Sequence, residues 1–242
     1  MNSQTKFSAC LLCLLLLTCA ACASRPAGDN GAGGPAASNG STSGGATTAA
    51  AAISENDKPL DAMTRAMRAQ LDAKSYRARV KTTLADGAAS EMLIEYSAPD
   101  SYRMTRPAQG GAGDNAGMEF VIVGGATYIK TPNAGWVKSP IDAGEMIKGF
   151  RDPKMLDELT KTADVKFIGP DTLDGAPMLV YQYTQTNPMG MNVKNTAKTW
   201  LSVADGLPRK TESEGEFQGK KTKTLITMSD YNADIRIESP VK

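Results

Sequence analysis

Two periods of apolar side chains divide the chain. Leu60, Met63, Met67 and Leu71 recur at helical spacing, while Arg65, Arg68 and Lys74 take the other faces. The spacing predicts an amphipathic helix of about four turns. An Asn56-Asp57 cap opens it, Pro59 lies in its first turn, and it ends near Lys74-Ser75. The period then falls to two. Tyr76–Leu84, Glu91–Ser97 and Asp100–Thr105 read as strands, followed by a glycine-rich loop, Pro107–Gly117. Glu119–Val123 and Ala126–Lys130 form a hairpin about Gly124-Gly125, and Trp136–Lys138 adds a short strand.

The helical period returns once. Ser139-Pro140 and Asp152-Pro153 read as a cap and first helical residue, opening IDAGEMIKGF and KMLDELTKTA, where Met155, Leu156 and Leu159 share a face. Strands then resume with VKFIGPDTL, APMLVYQYT and KTWLSV, and close with Lys223–Met228 and Ala233–Ile237. Asp-Gly pairs at 86-87, 174-175 and 205-206 are hairpin signals, because a type I′ turn needs positive φ twice. Helices and strands do not alternate, which argues against a parallel sheet. The expected class is α+β: a single curved antiparallel sheet with helices on one face.

The front of the chain is different in kind. Ala9–Cys22 (ACLLCLLLLTCAAC) is an apolar run behind one cation, Lys6. It has the layout of a secretory signal and is too short for the roughly 20 residues of a membrane-spanning helix. Ala20-Ala21 before Cys22 resembles a bacterial lipobox, which implies that residues 1–21 are removed and Cys22 carries a covalent lipid. The lipobox leucine is replaced by Cys19. Cys19 itself has Leu16 at the matching place but follows Thr18, so Cys22 is preferred. A plain secretory signal cut near Ala21 or Ala23 is the alternative. Residues 24–52 are almost wholly small and polar, so 22–55 reads as an acylated cysteine with a disordered tether of roughly 30 Å root-mean-square span. The folded domain is then 56–242.

Composition removes most chemistry. The 242 residues include 27 basic and 26 acidic side chains, which predicts no nucleic-acid binding. There is no histidine, and all four cysteines lie between residues 10 and 22, so the mature body has no triad, no imidazole metal site and no disulfide. Carboxylate pairs such as Asp142 with Glu145 and Asp157 with Glu158 fit solvated helix faces. GGAGDNAG lacks the spacing of a phosphate loop, and Asp114 with Asn115 is too poor in acids for a firm calcium site. Lys220, Lys221 and Lys223 read as a solvated turn. No catalytic, metal or cofactor residue is expected. Methionine is abundant, at 12 residues, and its flexible thioether suits adaptable apolar sites.

Several segments, in order, resemble the LolA/LppX superfamily of envelope lipid and lipoprotein carriers. They are KSYRARV after the first helix, EYSAPDSYRM, FVIVGGATYIKTPNAGWVKSP, TLDGAPMLVYQY, TWLSVADGLPRKTE and SDYNADIRIESP. The resemblance covers about residues 56 to 240. It implies a strongly curved antiparallel half-barrel whose concave face is covered by the N-terminal helix and a two-helix insert, with an acyl-chain cavity between. The expected lining is Met63, Met67 and Leu71 from the first helix and Met92, Ile94, Val180 and Trp200 from strands. The insert would add Met146, Ile147, Phe150, Met155 and Leu159. The expected function is a lipid-anchored, non-enzymatic module, monomeric, that binds acyl chains of a lipid or lipoprotein in envelope trafficking. Ala23 after the acylated cysteine implies the outer membrane, facing the periplasm, or the outer face of the cell membrane in an organism with one membrane. The alternative on the same fold is envelope-stress sensing through protein contacts.

Overall fold

The computed structural model describes residues 52–107, 117–131, 134–141, 143–144, 151, 154, 156–157, 163–186, 194–217 and 220–241. A helix, α1 (Pro59–Asp72), precedes two meanders of strands. The first holds β1 (Ser75–Leu84), β2 (Ala89–Ser97), β3 (Ser101–Thr105), β4 (Glu119–Val123), β5 (Ala126–Thr131) and β6 (Ala134–Lys138). The second holds β7 (Asp164–Leu173), β8 (Ala176–Thr186), β9 (Lys194–Ser202), β10 (Pro208–Phe217) and β11 (Lys220–Ser229). All are antiparallel, and the β1–β11 pair welds the meanders into one 11-stranded sheet with the order 6-5-4-3-2-1-11-10-9-8-7. The sheet is curved and open, with β6 and β7 at its two edges.

Register follows from alternation. In β1, Tyr76, Ala78 and Val80 are buried while Arg77, Arg79 and Lys81 are exposed. Tyr76 lies opposite Tyr96, Ala78 opposite Ile94 and Met228, and Val80 opposite Met92 and Ile226. A slip by one residue would turn this apolar set to water and bury three cations, so the pairing is strongly specified. Turn chemistry differs among the three Asp-Gly pairs. Asp174 and Gly175 both have positive φ (51° and 81°), as a two-residue type I′ hairpin requires. At 86-87 only the glycine does (84°), and Gly87 N–H donates to Leu84 O in a longer turn. At 205-206 again only the glycine is positive (67°), and Asp205 Oδ1 accepts from Leu207 N–H.

Two expectations are revised, and a third lies largely outside the described residues. The helix N-cap is Lys58, not the Asn56-Asp57 pair, and it makes no side-chain cap bond. The Asp57 carboxylate instead accepts from Ser54 N–H and pairs with Arg65. Residues 233–237 do not form a strand. Asp230 and Asn232, both at positive φ, turn the chain out of the ladder, and Ile235 and Ile237 pack on Val121 as a strap. The two-helix insert lies largely outside the described residues. Within it, 143–144, 154 and 156–157 are helical.

The link from β6 to β7 joins opposite edges of the sheet, and its described residues mark a path over one face. Ala143 N–H donates to Thr127 Oγ1 of β5 (3.0 Å). Arg151 reaches Tyr102 of β3 and the end of α1. Asp157 pairs with Arg68 of α1 (3.1 Å). This is also the face that α1 covers.

Candidate ligand-binding face

Cross-strand partners point to the same side of a sheet, so the registers trace one continuous face on the side of α1. It carries two apolar clusters. The first lies under the helix, where Ala62, Met63 and Ala66 meet Leu179, Tyr181 and Leu201, with Ile53 at the entry to the domain. The closest approach is made by alanines, 0% and 2% exposed, so the buried stripe is rotated from the one read in the sequence and leaves Leu60 39% exposed. The second cluster spans β1 to β4 and β11. Tyr76, Tyr96 and Tyr102 step across it with ring centroids 5.0 Å apart, and Tyr231 extends the row at 6.0 Å. Met92, Met104 and Met228 fill in beside them.

Between the clusters runs a strip of small hydroxyl side chains. Thr199, Ser213 and Thr224 are all under 9% exposed. Thr199 bonds with Thr211 (3.1 Å), and Thr82 contacts Thr224 (3.5 Å). The face is therefore amphipathic along its width, not uniformly oily.

One cation enters it. Arg151 is 3% exposed, donates from Nη1 to Tyr102 Oη (2.7 Å) and from Nη2 to Leu71 O (3.1 Å), and stacks 4.0 Å from the Tyr96 ring centroid. A guanidinium on the last-turn carbonyls of a helix is favoured by their partial negative charge, and α1 has no basic residue of its own in that turn. Tyr181 is the converse: its buried hydroxyl has no hydrogen-bond partner, and burial raises its pKa.

The expected lining residues divide. Met63 is buried and Met67 and Leu71 are half-buried on α1, while Met92 and Ile94 are buried in the tyrosine cluster. Val180 and Trp200 are corrections, because they lie on the opposite face. Val180 pairs with Trp200, whereas their chain neighbours Leu179 and Leu201 face the helix. With Met178 they form an apolar island that water-facing groups close over. Trp200 Nε1–H donates to Asp171 Oδ2 (2.8 Å), and Lys210 Nζ sits 4.3 Å above the indole. That indole bond holds the Asp171 carboxyl below its usual pKa. A run of apolar residues without alternation, MLVY, cannot state which of its members points inward. Met146, Ile147, Phe150, Met155, Leu159 and Cys22 lie outside the described residues. Reading the sequence also missed the tyrosine row and Arg151. The tyrosines were visible as period-two positions. Arg151 carried no signal, since a lone arginine between two expected helices reads as solvated.

Among the described residues no group of acidic side chains could hold a metal ion, and no helix is long and apolar enough to cross a membrane.

No protein-family model matches the chain, and no curated protein matches it. Solved structures do. Lipoprotein LppX of Mycobacterium tuberculosis aligns with a TM-score of 0.53 at 12% identity, over 74% of this chain and 97% of that one. LprF of Mycobacterium bovis aligns with a TM-score of 0.51 at 14% identity, over 75% and 96%. At such identities the likeness is one of fold, and the chain has a LolA/LppX-like fold.

Proposed function

We propose that this chain is an exported lipoprotein, tethered through Cys22, whose helix-covered face takes up the acyl chains of a lipid or lipoprotein in the cell envelope. The observation that carries the reading is the pairing of this fold with the make-up of that face. Two apolar clusters, rich in methionine and tyrosine, share that face, one of them under a helix held by small and flexible side chains. Each CH₂ moved from water to such a surface contributes about 0.8 kcal/mol, so a carrier needs apolar area and slack and no reactive group. The protein acts as a binding module and not as a catalyst. The LppX likeness supports the lipoprotein reading, and the Cys22 lipobox supports the tether.

The test has two arms. The Cys22→Ser full chain should move from the membrane fraction to the soluble extract. Organic extraction of that soluble protein, followed by mass spectrometry, should yield acyl lipid in stoichiometric amount. Met67→Glu places a charge at a half-buried site under α1 and should cut uptake by about ten-fold or more, the equivalent of 1.4 kcal/mol. Protein that is always recovered empty, and takes up no fluorescent fatty acid, refutes acyl binding. Protein that stays membrane-bound with Ser at 22 refutes the anchor.

A further inference from the structure

The face of the sheet turned away from α1 holds an open cleft of about 1070 Å³, at the upper end of the range for small-ligand sites (about 300–1,000 Å³). Its floor is β1, β2 and β11. One rim is the 173–176 hairpin and the 205–209 turn, and the other is the start of the C-terminal strap at 230–232. Its accessible charged side chains belong to the face opposite the proposed acyl site, with Ala78, Ile94 and Met228 of the tyrosine cluster at its base, and its ligand is argued independently of that reading.

What the cleft offers decides what it can hold. Three guanidiniums and four carboxylates line it, so it has no surplus of positive charge with which to select an anion. Five of these charges are tied to one another across the lining. Arg77 bonds Glu95 (2.8 Å) and Asp230 (3.1 Å), and Arg209 bonds Asp205 (2.5 Å) while lying 4.9 Å from the Tyr231 ring centroid. Of its apolar members, Met178 and Leu207 are each 3% exposed, while Leu93 on β2 and Leu173 at the hairpin are half-buried and offer patches of the size a sugar ring covers. Its backbone is already used. β1, β2 and β11 are paired on both sides, so a peptide cannot add here as a strand. What remains is a set of planar donors paired with carboxylate acceptors, with Thr227, Ser229 and Asn232 exposed among them.

A ligand that both donates and accepts at closely spaced positions, and carries no net charge, matches this array. We infer that the cleft binds a neutral oligosaccharide, whose hydroxyls bridge the Arg77–Glu95 and Arg209–Asp205 pairs. The sugar could belong to a wall glycan or to the head of a glycolipid, and the chemistry of recognition is the same.

The test uses the full chain held in a detergent without sugar groups. Calorimetry with the tetrasaccharides of N-acetylglucosamine, glucose and mannose is set against co-sedimentation with phosphatidylcholine vesicles containing a monoglucosyl diacylglycerol. Saturable binding of at least one tetrasaccharide points to a glycan strand, and binding of the vesicles alone points to a lipid head. Thr227→Trp, at an exposed position on the cleft floor, should weaken either by at least ten-fold while leaving the thermal melt unchanged. Arg77→Ala provides a second variant with the same expected loss. The inference is overturned if neither neutral ligand binds, if binding survives Thr227→Trp, or if heparin or an unstructured peptide is the probe that the substitution displaces.

Discussion

Replacing Arg151 with Met keeps the length and much of the volume of the side chain and removes its charge and its donors. In the structure that means losing a 2.7 Å bond to Tyr102 Oη, a 3.1 Å bond to the Leu71 carbonyl and a ring contact at 4.0 Å. Charge-assisted bonds are worth about 1.5–3 kcal/mol each, and a desolvated cation–π contact about 2. Against this stands the desolvation of the guanidinium, several kcal/mol, which the variant no longer bears. The balance favours the wild type, because the fully buried Tyr102 hydroxyl and the part-buried Leu71 carbonyl each lose a charged donor. The expected cost is about 3 kcal/mol. For a domain of this size, roughly 2–4 °C per kcal/mol, that is a fall in melting temperature of about 6–12 °C. Urea unfolding should show a lower midpoint at unchanged slope. A double-mutant cycle with Tyr102→Phe isolates the 2.7 Å bond and should return a coupling of about 1–2 kcal/mol. A loss under about 1 kcal/mol for Arg151→Met, or no coupling to Tyr102, would show that the guanidinium is held there without stabilising the fold, and would refute the view that it ties the β6–β7 connection to the end of α1.

Ala66→Leu inserts three carbons where α1 meets the sheet at 2% exposure, and should cost about 1–3 kcal/mol by overpacking, read as a lowered thermal midpoint. Asp171, held below its usual 3.8 by the Trp200 indole and by Thr172 N–H, favours the fold above that value. The contribution is lost as the pH falls through 3.8 and below. In a Trp136→Phe background, Trp200 emission should therefore shift on acidification, and Asp171→Asn should abolish the shift. At the other extreme, burial pushes the Tyr183 phenol up to about 12 and raises Tyr181 and Tyr231. These hydroxyls stay protonated in the fold while unfolded tyrosine ionises near 10, so their contribution is intact below pH 10 and disappears as the pH climbs toward 12. Phenolate absorbance should rise in two steps, the later one coinciding with loss of the far-ultraviolet signal. A single step near pH 10 with the fold intact would contradict the buried placement.

How much was legible in the sequence depends on whether a property is local. β4 was read to the residue, because Glu119–Val123 is bounded by glycines and its partner lies two residues away. β1 and β2 were read almost as well, since alternation names both the element and its buried face. The union of the two meanders was not readable. It rests on β1 pairing with β11, strands some 140 positions apart, and nothing in either names the other. The strap at 233–237 failed for a different reason. ADIRI alternates like a strand, and its isoleucines are indeed buried, but Asp230 and Asn232 in left-handed conformation carry it out of the ladder and onto the face of β4 to β6. Alternation reports burial of every second residue, and a strap buried in that way satisfies it without one ladder bond.

The same logic explains the error at Val180 and Trp200, and shows what kind of face this protein has. Where one side of a sheet meets water, polar residues mark the outside, and inward positions can be counted off. β8 and β9 lack that mark, because the outer face there carries its own apolar island, closed by Asp171 and Lys210 over Trp200. The edge beside it is guarded as well. β7 bulges between Phe167 and Gly169, pushes Ile168 to 52% exposure and follows with Pro170, which cannot donate to a further strand. An open sheet exposes two edges to any other extended chain. The bulge and the proline blunt one of them, so that another chain does not pair along that strand. Substituting Val for Gly169 and Thr for Pro170 should therefore regularise β7 and convert soluble protein into concentration-dependent oligomers, detectable by light scattering. Persistence of a monomer at high concentration would show that this edge needs no protection.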